Sequence, residues 1–97
     1  MILTTTNTIE GFKIIEYKGI VTGTSFEMKT KFSFKVEKSK DITKAVINEA
    51  KEHAFQELQD NAKNLNANAV VGISFDIETV NGSYFFVSVV GTAVNVA

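Results

Sequence analysis

Cysteine, proline, tryptophan and arginine are all missing from this 97-residue chain, and histidine occurs once. Without Cys there is no disulfide, no thiolate metal centre and no Cys nucleophile. A single His excludes the two-histidine zinc motifs. Without Arg, all ten basic residues are Lys, and the side chain that forks onto phosphate and guanine is gone. The formal net charge of −1 gives no basic excess for nucleic acid or an anionic membrane. Long apolar runs are absent too. The uncharged stretch from Val80 to Ala97 is broken by Asn81, Gly82, Ser83, Ser88 and Asn95. It falls short of the roughly 20 apolar residues of a membrane helix. The first residues carry no basic segment of the signal-peptide kind. These features predict one soluble, cytoplasmic domain over 1–97.

What is present is hydrophobic periodicity. Phe12–Thr24 is rich in β-formers, with Gly19 and Gly23 on one face. Phe26–Glu37 alternates, with Phe26, Met28, Phe32, Phe34 and Val36 on one face and Glu27, Lys29, Lys31, Lys35 and Glu37 on the other. That pattern predicts a second strand after a bend at Gly23-Thr24-Ser25. From Asp41 to about Leu65, the residues Ile47, Ala50, Ala54, Leu58, Ala62 and Leu65 form a helical stripe. Its alanines permit a close approach to a sheet. Ser39 or Asp41 suits the N-cap, and Asn66 suits a left-handed C-terminal residue.

Ala69–Val80 and Tyr84–Val96 flank Asn81-Gly82, a two-residue hairpin signal. A turn centred there pairs Ile77 with Phe86, Phe75 with Ser88, Ile73 with Val90 and Val71 with Thr92, and turns that set to the helix. The opposite face then pairs Glu78 with Phe85, Asp76 with Val87, Ser74 with Val89 and Gly72 with Gly91. The last strand is apolar on both sides and is expected at the centre of the sheet. In this register Phe85, Val87 and Val89, beside Gly72 and Gly91, form an apolar surface away from the helix. That surface is the expected interface between copies of the chain. Residues 1–44 hold eight Lys against five acids, and residues 45–97 two Lys against six, a polarity that suits head-to-tail docking.

Asp76 and Glu78 project from one strand face and are the candidate metal ligands, or an acid/base pair in an enzyme whose site forms between subunits. Tyr17 and His53 are the other acid/base candidates for such an enzyme. Glu49, His53 and Glu57 lie four apart on the helix and could hold a divalent ion weakly; a solvated polar face explains them as well. The stretch Lys29–Lys44 could bind single strands through Phe32 and Phe34, but Lys on an edge strand also guards against aggregation. The threonines at 4, 5, 6 and 8 and the Thr22–Ser25 cluster have no activating base beside them in sequence. No catalytic residue is assigned, and no cofactor is specified.

Five segments carry a family resemblance. They are Gly19-Ile-Val-Thr-Gly23, Ala54-Phe-Gln-Glu-Leu58, Ala67-Asn-Ala-Val-Val-Gly-Ile73, Glu78-Thr-Val80 and Val87-Ser-Val-Val-Gly-Thr-Ala-Val94. With Thr4-Thr5-Thr6 and Glu10-Gly11 they span nearly the whole chain, which resembles the YbjQ-like family of small proteins, labelled for heavy-metal binding. The resemblance implies an α+β fold: a β-α-β-β subunit like that of dodecin. Its antiparallel sheet has the last strand central, one long helix behind it, and extra short strands for assembly. It also implies a homopentamer, and it brings no established catalytic residues. The surplus apolar face and the lack of a catalytic constellation make a non-enzymatic binding or scaffolding protein the expected function. Family members often carry Cys where this chain has Lys18 and Gly where it has Asn66, and the segment 26–40 differs most.

Overall fold

A computed structural model describes residues 1–28, 39–80 and 84–97. Four strands and one helix lie within them: β1 (Ile2–Leu3), β2 (Ile14–Met28), α1 (Ser39–Asn64), β3 (Ala69–Val80) and β4 (Tyr84–Val96). The sheet order is β1-β3-β4-β2, so the uncharged last strand has a neighbour on each side, as its composition predicts. The sheet is mixed rather than purely antiparallel, because β1 joins β3 in parallel. Backbone bonds from Gly72 N to Thr6 O (2.8 Å) and from Ile73 N to Thr4 O (3.1 Å) continue that edge.

β2 runs unbroken through Gly23-Thr24-Ser25, where a bend is expected from sequence. Each of these residues pairs on β4, with Val89, Ser88 and Val87 respectively. The continuity fixes the alternation beyond it. Val21 and Gly23 face the helix, so Glu27 does as well, and Phe26 faces the other way. This reverses the faces predicted for Phe26 and Glu27. The remainder of the predicted second strand, and the basic stretch within it, lie outside the described residues.

The helix buries a row of Val46, Ala50, Ala54, Leu58 and Ala62 against β2 and β4. Its small side chains allow the contact that the stripe implied. The Ala54 carbonyl sits where a side chain at Gly23 would go. Asn61 Nδ2 donates to the Thr22 carbonyl at 2.8 Å, which satisfies one acceptor on the edge strand. Leu65 lies past the last turn and stays exposed. There the chain closes in a Schellman turn, with Ala67 N bonded to Ala62 O (3.1 Å) and Asn66 N to Lys63 O (2.9 Å). Asn66 is left-handed, with φ 61°, as its position predicts. Asn66→Ala is expected to lower stability by about 1 kcal/mol and Asn66→Gly to preserve it, read from urea midpoints at fixed protein concentration.

The β3–β4 register departs from the prediction halfway along. Ala69↔Val94, Val70↔Ala93 and Val71↔Thr92 follow it, but Ser74 pairs with Val90 and Ile77 with Val87. Between these sets Gly72, at φ +62°, and Ile73 form a bulge on β3. One extra residue on β3 moves every later partner on β4 by one position, and so to the opposite face. Val80 consequently pairs with Tyr84, leaving three residues between the strands rather than two. Phe85, Val87 and Val89 therefore lie under the helix, at 6%, 0% and 1% exposure. They are core residues rather than the exposed apolar surface expected from sequence. Gly72 and Gly91 do not make a flat pair: a side chain at Gly91 would meet Val70 and Ile73, and Gly72 sits beneath Asn7.

Among the described residues, the face away from the helix is covered at one end. There Ile9 and Ile14 pack over Ala69, Val71, Val94 and Val96. Asn68 seals the strand ends by exchanging two bonds with the Val96 backbone, at 2.8 and 3.0 Å.

Candidate functional site

Glu27 is an acid in a row that otherwise turns small or apolar residues toward the helix. It is 9% exposed, and a carboxylate taken that far from water needs a partner. The helix supplies one. His53 stands next to Ala54, whose carbonyl meets Gly23, so the imidazole lies over the strand four residues beyond Gly23. His53 Nδ1 is 2.8 Å from Glu27 Oε1. Glu49 lies one turn earlier on the same helix side. One ligand atom from each of Glu27, Glu49 and His53 falls within 4.8 Å of the other two. Glu27 is buried, Glu49 half-buried and His53 exposed, so the cluster opens to solvent at the imidazole.

The sequence pointed to Glu49 and His53 through their spacing, and to Glu57 as the third member. The structure brings Glu27 there instead, while Glu57 lies further along the helix and is exposed. Nothing in the local pattern marks Glu27, because the alternation of 26–37 places it outward. Only the continuity of β2 from Val21 turns it in.

The other face of the sheet is a broad open surface. Along it Tyr17, Ile20, Phe26 and Val90 are 71%, 77%, 54% and 40% exposed. Phe26 stacks on Tyr84 with ring centroids 4.9 Å apart. Between the apolar residues is a shallow depression of about 330 Å³ lined by Thr22, Thr24, Ser74, Asp76, Ser88 and Val90. Asp76 and Glu78 share this face two residues apart, opposite Ser88 and Phe86. Among the described residues, no third carboxylate or imidazole joins them within reach of one ion. Tyr17 pairs with Val94 on this face, whereas His53 lies on the helix side, so the two cannot act on one substrate within a subunit.

The N-terminal threonines have a structural role. Thr6 Oγ1 donates to Thr8 O at 2.6 Å, and Thr4 Oγ1 lies 2.8 Å from Thr6 Oγ1, so these hydroxyls hold the N-terminal turn. Lys18 Nζ pairs with Glu16 at 2.9 Å at a bulge in β2. The Lys18 hydrogen bond, and then its charge, hold the Glu16 carboxyl below the usual range. Lys51 places its ammonium 5.7 Å from the centre of the Phe75 ring. No helix among the described residues is long and apolar enough to cross a membrane.

The whole chain, residues 1–97, matches a family described as "Putative heavy-metal-binding". Among solved structures it is similar to the crystal structure of a protein with unknown function, of the DUF74 family, from Pediococcus pentosaceus ATCC 25745. The two sequences are 25% identical, and the match covers 100% of this chain and 98% of that one, with a TM-score of 0.64. With an end-to-end family match and the same subunit fold in that structure, the chain belongs to the YbjQ-like family.

Proposed function

We propose that this protein is a non-enzymatic, homo-oligomeric binding or scaffolding protein, and that its open sheet face is where copies of the chain meet. The carrying observation is the row of Tyr17, Ile20, Phe26 and Val90 left exposed on one face of the sheet. A patch of that kind on a small subunit marks an interaction surface. The shape of the subunit supports the same reading. Its radius of gyration is 15.9 Å, against about 12.5 Å for a compact domain of this length. The family resemblance adds the count of five and the choice of a second copy as occupant. The interface assigned here replaces Phe85, Val87 and Val89, which the helix already covers. Asp76 lines the depression on this face, so a small ligand held there would sit between copies.

Native mass spectrometry at micromolar concentration tests the proposal. A closed oligomer is expected for the unmodified chain and a folded monomer for Ile20→Lys combined with Val90→Lys. An unmodified chain that stays monomeric overturns the reading, as does an oligomer that survives both lysines.

A further inference from the structure

We infer that Glu27, Glu49 and His53 form a binding site for a borderline first-row divalent cation, of the zinc or cobalt class. The site lies on the helix side of the sheet and does not depend on the assembly proposed above. Three observations carry it. The first is geometric: the three ligand atoms lie within 4.8 Å of one another, close enough to surround one ion. The second is burial. Glu27 is an acid 9% exposed in a row of small and apolar residues, where a packed core alone would favour another Val. The third is the donor set, two carboxylates from two elements and one imidazole. Three protein ligands with an open side are the usual number for an accessible zinc site.

The donor chemistry narrows the ion. A soft ion seeks thiolate, and the chain has no Cys. Calcium takes six to eight oxygen ligands, and an imidazole does not serve it. An imidazole with two carboxylates suits zinc, cobalt, nickel or manganese. Asp76 and Glu78, the metal candidates from sequence, offer neither an imidazole nor a buried carboxylate. The cost of binding is also visible. Nδ1 of His53 makes a hydrogen bond to Glu27, and an ion at Nδ1 would replace that bond, with the ring proton on Nε2. Bound there, the cation ties the end of β2 to the middle of α1, so its binding should appear as stability.

The test uses chelator-stripped full-length protein and Zn²⁺ alone, read by calorimetric titration and native mass. One Zn²⁺ per chain is expected, with a rise in melting temperature. Changes behind a ligand already cost 10–100-fold in metal affinity, so losing a direct ligand should cost at least about tenfold. His53→Gln and Glu49→Gln should each weaken binding by that factor. Glu49→Gln keeps the Glu27–His53 contact, so its effect separates an ion site from a structural pair. Co²⁺ should give a visible absorption spectrum that changes in His53→Gln. The assembly variant Ile20→Lys with Val90→Lys should bind one Zn²⁺ per chain unchanged, so failure of either reading leaves the other standing. The site is overturned by unmodified protein that binds no Zn²⁺ at millimolar concentration, by unchanged affinity in Glu49→Gln and His53→Gln, or by an ion lost only on Asp76→Asn with Glu78→Gln.

Discussion

Gly23→Ala is expected to destabilise the subunit by about 3 kcal/mol or more, a large share of the 5–15 kcal/mol that holds a domain of this size. The reason is what a methyl group at position 23 would meet. The Ala54 carbonyl oxygen occupies that space, and the Leu58 amide nitrogen is 2.8 Å from it. Both are backbone atoms of the helix, so no rotamer change relieves the clash. The helix must lift off β2, and the contacts of Ala50, Ala54 and Leu58 loosen together. His53 immediately precedes Ala54, so lifting the helix also separates the imidazole from Glu27. Gly23→Ala should thus lower the chemical denaturation midpoint and weaken Zn²⁺ binding in one variant, although residue 23 touches no ion. Thr24→Ala, one residue away on the open face, should shift the midpoint by no more than about 0.5 kcal/mol. Denaturation of all three proteins at one concentration decides it. Equal midpoints for Gly23→Ala and the unmodified chain would show that the helix does not approach β2 through Gly23.

The helix, its alanine-rich face, its left-handed end at Asn66 and the central place of β4 can all be read in the sequence, because each depends on local chemistry or on one strand's composition. The faces of the strands cannot be read so directly, because a face is a cumulative count. On β3 the count from Ile73 to Ile77 is right. On β4 it is reversed, since Gly72 inserts a residue into β3 and the Asn81-Gly82 pattern suggests a two-residue turn that the register does not use. Gly72 itself hints at a bulge, but a bulge and a flat glycine pair look alike in a single sequence. The same counting governs the site. Glu49 and His53 share one helix and their spacing is visible; Glu27 joins them across the β2–α1 connection, where periodicity says nothing. An exposed apolar surface away from the helix was legible as a surplus of apolar residues, but the bulge decides which residues form it.

Val87→Asp should unfold most of the protein, and Val90→Asp should leave the subunit folded and cost only its assembly. The two valines are three residues apart on β4, so they point to opposite faces. Val87 is 0% exposed beneath the helix, within the cluster that holds Val21, Ala54, Leu58 and Val89. A carboxylate there has no cation among the residues of that cluster, and a buried uncompensated charge costs about 3–5 kcal/mol. Loss of the packed valine methyls adds to that, so the total approaches the whole stability of the domain. Val90 is on the open face with Thr22 and Ser74 as neighbours, and an aspartate there keeps its water. Far-UV circular dichroism and native mass of the two variants separate the faces. The opposite outcome, with Val87→Asp folded and Val90→Asp unfolded, would mean that β4 lies in the unbulged register with Val90 against the helix. Unfolding of both at low concentration, with Val90→Asp alone recovered at high concentration, would show that folding and assembly are one equilibrium.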